Sequence, residues 1–69
     1  MSDLPIAAVV RIAKNKAKAE RVGQDAAQEI VKYAEDYIVK LTKEANKLAE
    51  HAGRKTIKKD DVEMAAGSV

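Results

Sequence analysis

From Ile30 onward the apolar residues Ile30, Ala34, Tyr37, Leu41, Ala45, Leu48 and Ala52 follow one another at steps of 4, 3, 4, 4, 3 and 4. That spacing is the period of an amphipathic helix. Carried back to Gln24, it predicts one helix over residues 24–52, about 42 Å long at 1.5 Å per residue. Val31, Ile38 and Ala49 widen the apolar stripe beyond a single face. On the wet side Lys32, Asp36, Lys40 and Glu44 alternate in sign at steps of four, each pair worth only a few tenths of a kcal/mol. Gly23 can cap the front of this helix, with Gln24 and Asp25 near the positive end of its dipole. Gly53 stands where a C-terminal cap is expected.

A rod of that length inside a chain of 69 residues leaves little else to cover it. Pro5 suits the first turn of a helix, and Ile6, Val9, Val10 and Ala13 follow at helical spacing, so a short helix is expected over residues 5–16. A third is expected over residues 59–66, with Val62, Met64, Ala65 and Ala66 as its apolar content. Asp60 and Asp61 lie in its first turn, and Lys58 is an unhelpful N-cap. The order is short helix, loop, long helix, loop, short helix, an all-α fold in one domain over residues 1–69. Met1 to Leu4 and Gly67 to Val69 are expected to fray.

Two short helices cannot close a core around the rod. A chain this small buries only about 60% of its unfolded surface, and the usual supports are disulfides, a metal or a partner chain. There is no cysteine, and a single histidine cannot assemble a zinc site. No metal or cofactor is expected. A partner chain remains, and two such rods crossed antiparallel close both apolar faces, which argues an obligate dimer. The first loop of one chain then lies beside the second loop of its partner. The longest apolar run, Ile6 to Val10, is far too short to span a membrane, and the acidic start Met1-Ser2-Asp3 lacks the cations of a signal peptide. The chain reads as soluble and cytoplasmic.

Net charge is only +2, but it is unevenly placed. Residues 1–22 carry five cations against two anions, residues 23–52 four against six, and residues 53–69 four against three. Cations thus gather outside the long helix, a footprint rather than a uniformly sticky surface. One cluster runs from Lys16 to Arg21. The other lies in His51-Ala52-Gly53-Arg54-Lys55-Thr56-Ile57-Lys58, where the glycine stops the helix and two cations follow. Such loops suit the holding of phosphates. No Ser/His/Asp set, glycine-rich phosphate loop or pocket-sized core argues for an enzyme. With neither Phe nor Trp, the stacking platform needed for single strands is missing, and Tyr33 and Tyr37 read as core or core-edge residues.

Leu4-Pro5-Ile6-Ala7, Arg11-Ile12, Ala19-Glu20-Arg21-Val22 and the block from His51 to Lys58 together resemble the archaeal histones in order and spacing. The resemblance covers essentially the whole chain, and its last block is the most specific. It implies the histone fold, a handshake homodimer and sequence-tolerant wrapping of double-stranded DNA, the backbone-plus-deformability binding for which the histone octamer is the type case. By position, the resemblance assigns Arg21 to the minor groove, Thr56 beside it, and Lys55 to a phosphate. Arg11 and Lys14 match basic positions of the first helix that approach the DNA backbone. Arg54 matches an arginine paired with the aspartate at Asp61. Leu48, His51, Asp61 and Met64 fall where the family joins dimers into tetramers or longer assemblies. A paralogous histone is a second partner the resemblance allows, and the chromosome is the expected location.

The chain departs from that pattern at three points. Asn15-Lys16-Ala17-Lys18 fills the first loop with one residue more than in most relatives, and Lys18 stands where they carry glycine. Glu50 occupies a position that is often basic, and Gly67-Ser68-Val69 lacks a basic close. The first two imply weak stacking between successive DNA turns. His51 has two readings, a cation offsetting the helix dipole or a hydrogen bond to Asp61 of a neighbouring dimer that would make assembly pH-sensitive. The rival to a DNA-wrapping protein is a histone-fold protein–protein dimerisation module, against which Arg21, Arg54, Lys55 and Thr56 discriminate.

Overall fold

The computed structural model describes residues 3–69 and is all-helical over them: α1 (Ile6–Asn15), α2 (Gln24–His51) and α3 (Lys59–Ala66). The chain divides into two compact units, residues 1–36 and 37–69, with α2 contributing to both. Helix α1 is a residue shorter at each end than the apolar period suggests. Pro5 is its N-cap in extended conformation and Lys16 its C-cap. The Pro5 carbonyl still accepts the Val9 N–H at 3.3 Å, so the ring sits just ahead of the first turn rather than inside it. Helix α2 likewise stops at His51, with Ala52 already in the turn.

In the first unit the fully buried side chains are Ala27 and Val31, four apart on α2. Ile6, Val9, Val10 and Ala13 of α1 are only half-buried, and Ile12 is exposed. The segment ahead of α1 is tied down by a polar contact. Glu35 on α2 is half-buried, and its Oε2 accepts the N–H groups of Asp3 and Leu4. These bonds give Asp3 and Leu4 a fixed partner on α2; Met1 and Ser2, part of the segment expected to fray, lie outside the described residues. The first loop starts with long reaches back into α1, Ala17 N–H to the Ile12 carbonyl at 3.3 Å and Ala19 N–H to that of Ala13 at 3.0 Å. Between them Lys18 takes φ 65°, the left-handed region that L residues with a Cβ enter at a cost of roughly 1–2 kcal/mol. The loop then passes to α2, whose first turn closes from Ala27 N–H to the Gly23 carbonyl.

In the second unit the buried side chains are Ala45 and Ala49 of α2 and Asp61 and Ala65 of α3. Each pair is four apart, so each helix presents one narrow inward stripe of small residues. The C-terminus of α2 is closed by two bonds around Gly53, at φ 74°. Arg54 N–H donates to the Ala49 carbonyl and Gly53 N–H to that of Glu50, each at 2.9 Å. This is the Schellman arrangement, in which a left-handed residue redirects the chain while satisfying the last carbonyls. A Cβ at Gly53 would meet nothing within 4 Å, so only backbone strain opposes alanine there. Gly53→Ala is expected to lower stability by about 1 kcal/mol, the left-handed penalty less the gain from a stiffer unfolded chain. Chemical denaturation measures it, and an unchanged midpoint would contradict the cap. Beyond α3 the C-terminal turn is closed by Ser68 N–H on the Ala65 carbonyl at 3.0 Å.

Tyr33 and Tyr37 are not core residues of the single chain: they are 69% and 48% exposed. Ile30, Ile38 and Val39 are exposed as well. The alanines carry the buried positions because their small side chains let backbones approach, whereas these larger residues of α2 project outward.

Candidate nucleic-acid interface

The second loop is built around Arg54 and Asp61. Arg54 Nη1 donates to Asp61 Oδ2 at 2.8 Å and Nη2 to Oδ1 at 2.9 Å, a two-pronged pair matching a planar guanidinium to a carboxylate. Nη1 also reaches the Thr56 carbonyl at 3.0 Å, and Asp61 Oδ2 accepts the Lys58 N–H at 2.8 Å. Asp61 is only 6% exposed. One carboxylate thus caps α3 from its third position and holds Arg54, which in turn holds the loop backbone at Thr56. Lys58 has no side-chain acceptor to offer the helix, so the return bond from Asp61 does the capping. Its hydrogen bonds, first to Arg54 and then to the Lys58 N–H, hold the Asp61 carboxyl down from 3.8 to about 2, against the opposing effect of burial. The same contact pushes the Arg54 guanidinium further up.

That clamp leaves Lys55 and Thr56 exposed on a fixed loop. In the first unit Arg11 and Lys14 are exposed on α1, Lys14 in its last turn, and Arg21 is exposed in the loop before α2. The described salt bridges are Lys32 with Glu29, Lys47 with Glu44, and Arg54 with Asp61. Arg11, Lys14, Arg21 and Lys55 take part in none of them. Lys32 and Lys47 of the acidic long helix are therefore partly neutralised by neighbours and Arg54 of the second loop is held by Asp61, whereas Arg11, Lys14, Arg21 and Lys55 are open to an outside anion. Arg11, Lys14 and Arg21 belong to the first unit, Lys55 and Thr56 to the second.

Of the residues expected at an interface between dimers, Leu48 is half-buried, His51 exposed and Met64 66% exposed. Asp61 is buried beneath Arg54. His51 lines a shallow open hollow of about 220 Å³ with Lys47 and Glu50. A larger apolar groove of about 440 Å³ runs past Ile38, Val39, Thr42, Lys43, Asn46 and Ile57. Among the described residues no three ligating side chains gather for a metal, and no helix is long and apolar enough to cross a membrane.

Sequence reasoning missed the capping role of Asp61, although an acid three residues after a non-capping N-cap is a readable signal. It also missed the left-handed Lys18, for which lysine gives no signal.

The family model described as histone-like transcription factor (CBF/NF-Y) and archaeal histone matches residues 2–66. One of the chains of the archaeal histone HAN1 from Thermococcus zilligii is 48% identical over 65 residues, which is 94% of this chain and 96% of that protein. Probable archaeal histone 3 of Methanocaldococcus jannaschii is 40% identical over 65 residues, with the same coverage.

Proposed function

The chain belongs to the family of histone-like transcription factors (CBF/NF-Y) and archaeal histones, and from that premise we propose that it is a chromosomal protein binding, bending and wrapping double-stranded DNA as a handshake homodimer with little sequence preference. Its named relatives are histones, not enzymes. The observation that carries the reading is the set of exposed cations in both loops and on α1, outside every described salt bridge. In the dimer the first loop of one chain meets the second loop of the other. Arg21 enters the minor groove, Thr56 stands beside it, and Lys55, Arg11 and Lys14 take phosphates. Such contacts set position without reading bases, and any preference follows the width and flexibility of the groove. Leu48, His51, Asp61 and Met64 join dimers into tetramers or longer assemblies, and residues 1–69 act as one histone-fold domain.

Dimerisation is supported by how little the chain buries alone. Among the described residues only Val31 is a fully buried side chain larger than alanine. Ile12, Ile30, Tyr33, Tyr37, Ile38 and Val39 stay exposed, and the open groove past Ile38 and Ile57 is apolar. A second copy covers these surfaces and supplies the missing core. Folding and association are then one event, and the unfolding midpoint rises with protein concentration. A monomeric mass with a concentration-independent midpoint would sink the dimer. For DNA, nuclease digestion of reconstituted complexes is expected to leave protected lengths stepping by a constant unit per dimer. A histone-fold module that only pairs with protein would protect nothing.

A further inference from the structure

Lys18 holds a costly place in the first loop and receives nothing for it from the described residues of its own chain. Its φ of 65° puts a residue with a Cβ in a region that glycine and asparagine occupy more cheaply. Hydrogen bonds to Ile12 and Ala13 from Ala17 and Ala19, the residues on either side, pin that conformation. The side chain is exposed and enters neither a described side-chain hydrogen bond nor a described salt bridge. Residues held in costly backbone regions by their surroundings concentrate at functional sites.

The surroundings indicate a ligand. Lys14, Lys16, Lys18 and Arg21 fall within eight residues, with Glu20 the one acid among them. All five are exposed. Only Ala19 and Glu20 separate Lys18 from Arg21, so their Cα atoms, three residue steps apart, lie at most about 11 Å from each other. A side chain entering a minor groove only about 6 Å wide has a phosphate strand on either hand. A second cation at that separation falls within range of one of those strands.

We propose that Lys18 is a phosphate contact of the first loop, its left-handed backbone presenting the ammonium to the strand flanking the groove that Arg21 enters. The proposal rests on the DNA-binding reading above. Each cation–phosphate contact contributes about 0.9 to the slope of log affinity against log salt, and a homodimer presents Lys18 twice.

The test is that slope, measured on a short duplex for the parent and for Lys18→Gln, Lys18→Asn, Lys18→Gly and Lys18→Arg. Asparagine and glycine relieve the backbone, so loss of folding does not confound them. The three neutral variants are expected to flatten the slope by about 1.8 per dimer, and arginine to keep it. A parental slope in Lys18→Gln would overturn the contact. So would a loss confined to Lys18→Gly, since that would assign the effect to the backbone. Failure of the parent itself to bind at low salt would overturn the DNA reading on which the proposal stands.

Discussion

Replacing Arg54 with alanine is expected to lower the thermal midpoint of the folded protein more than any other single truncation in the loops. The change leaves Asp61, 6% exposed, with one hydrogen bond from the Lys58 N–H in place of three. Breaking a buried pair from one side is far costlier than replacing both partners, because the remaining charge stays desolvated and unpaired. It also frees the Thr56 carbonyl and so the loop itself. Lysine should recover only part of the loss, since an ammonium cannot make the two-pronged contact. Thermal unfolding followed by circular dichroism measures the order parent, lysine, alanine. An alanine variant as stable as the parent would show the clamp to be incidental. The pH dependence carries an independent signature. The folded carboxyl titrates near 2, below its ordinary 3.8, so its stabilisation is complete above about pH 4 and is lost as pH falls toward 2. Asp61→Asn should be less stable at neutral pH and should lack that part of the acid-induced fall.

The second large effect is on DNA. Arg21→Ala combined with Lys55→Ala removes two phosphate contacts and two minor-groove arginines per dimer, so the salt slope should flatten by at least about 1.8 and affinity near 0.1 M salt should fall by at least about sixtyfold. Both residues are exposed and outside the described salt bridges, so the fold should be unchanged. A double variant that binds like the parent would remove the loops from the interface and leave α1 or α2 to explain binding.

The helices were legible because periodicity and terminal residues agreed: the apolar steps along α2, glycine at the left-handed cap, and Pro5 at the start of α1, read one position inside the helix that it in fact precedes. Which sector of a broad apolar stripe one chain covers was not legible. Ile30 and Tyr37 belong to the apolar period yet stay 42% and 48% exposed, while Ala27, Ala45 and Ala49 are buried. Period measures hydrophobicity, whereas burial in a thin chain goes to residues small enough for close approach. The pairing of Arg54 with Asp61 came from family resemblance, since no spacing rule links residues seven apart across a loop. Its capping bond was readable locally. The strained Lys18 was not, because its conformation is fixed by hydrogen bonds of neighbouring backbone rather than by its own preferences.

The ties that close the two units differ most in how far they reach along the chain. Asp61 joins partners three and seven residues away, whereas Glu35 gathers N–H groups 31 and 32 residues upstream. Closing a 32-residue segment costs about 1.3 kcal/mol more chain entropy than closing one of seven, by the logarithmic loop law. Short-range contacts form while most of the chain is still free, and low contact order speeds formation. Within the association-coupled folding event, the turn carrying Lys55 and Thr56 is expected to organise early and the N-terminal segment to dock late. In pulse-labelled amide exchange during refolding, the turn from Ala52 to Lys58 should gain protection ahead of Asp3 and Leu4.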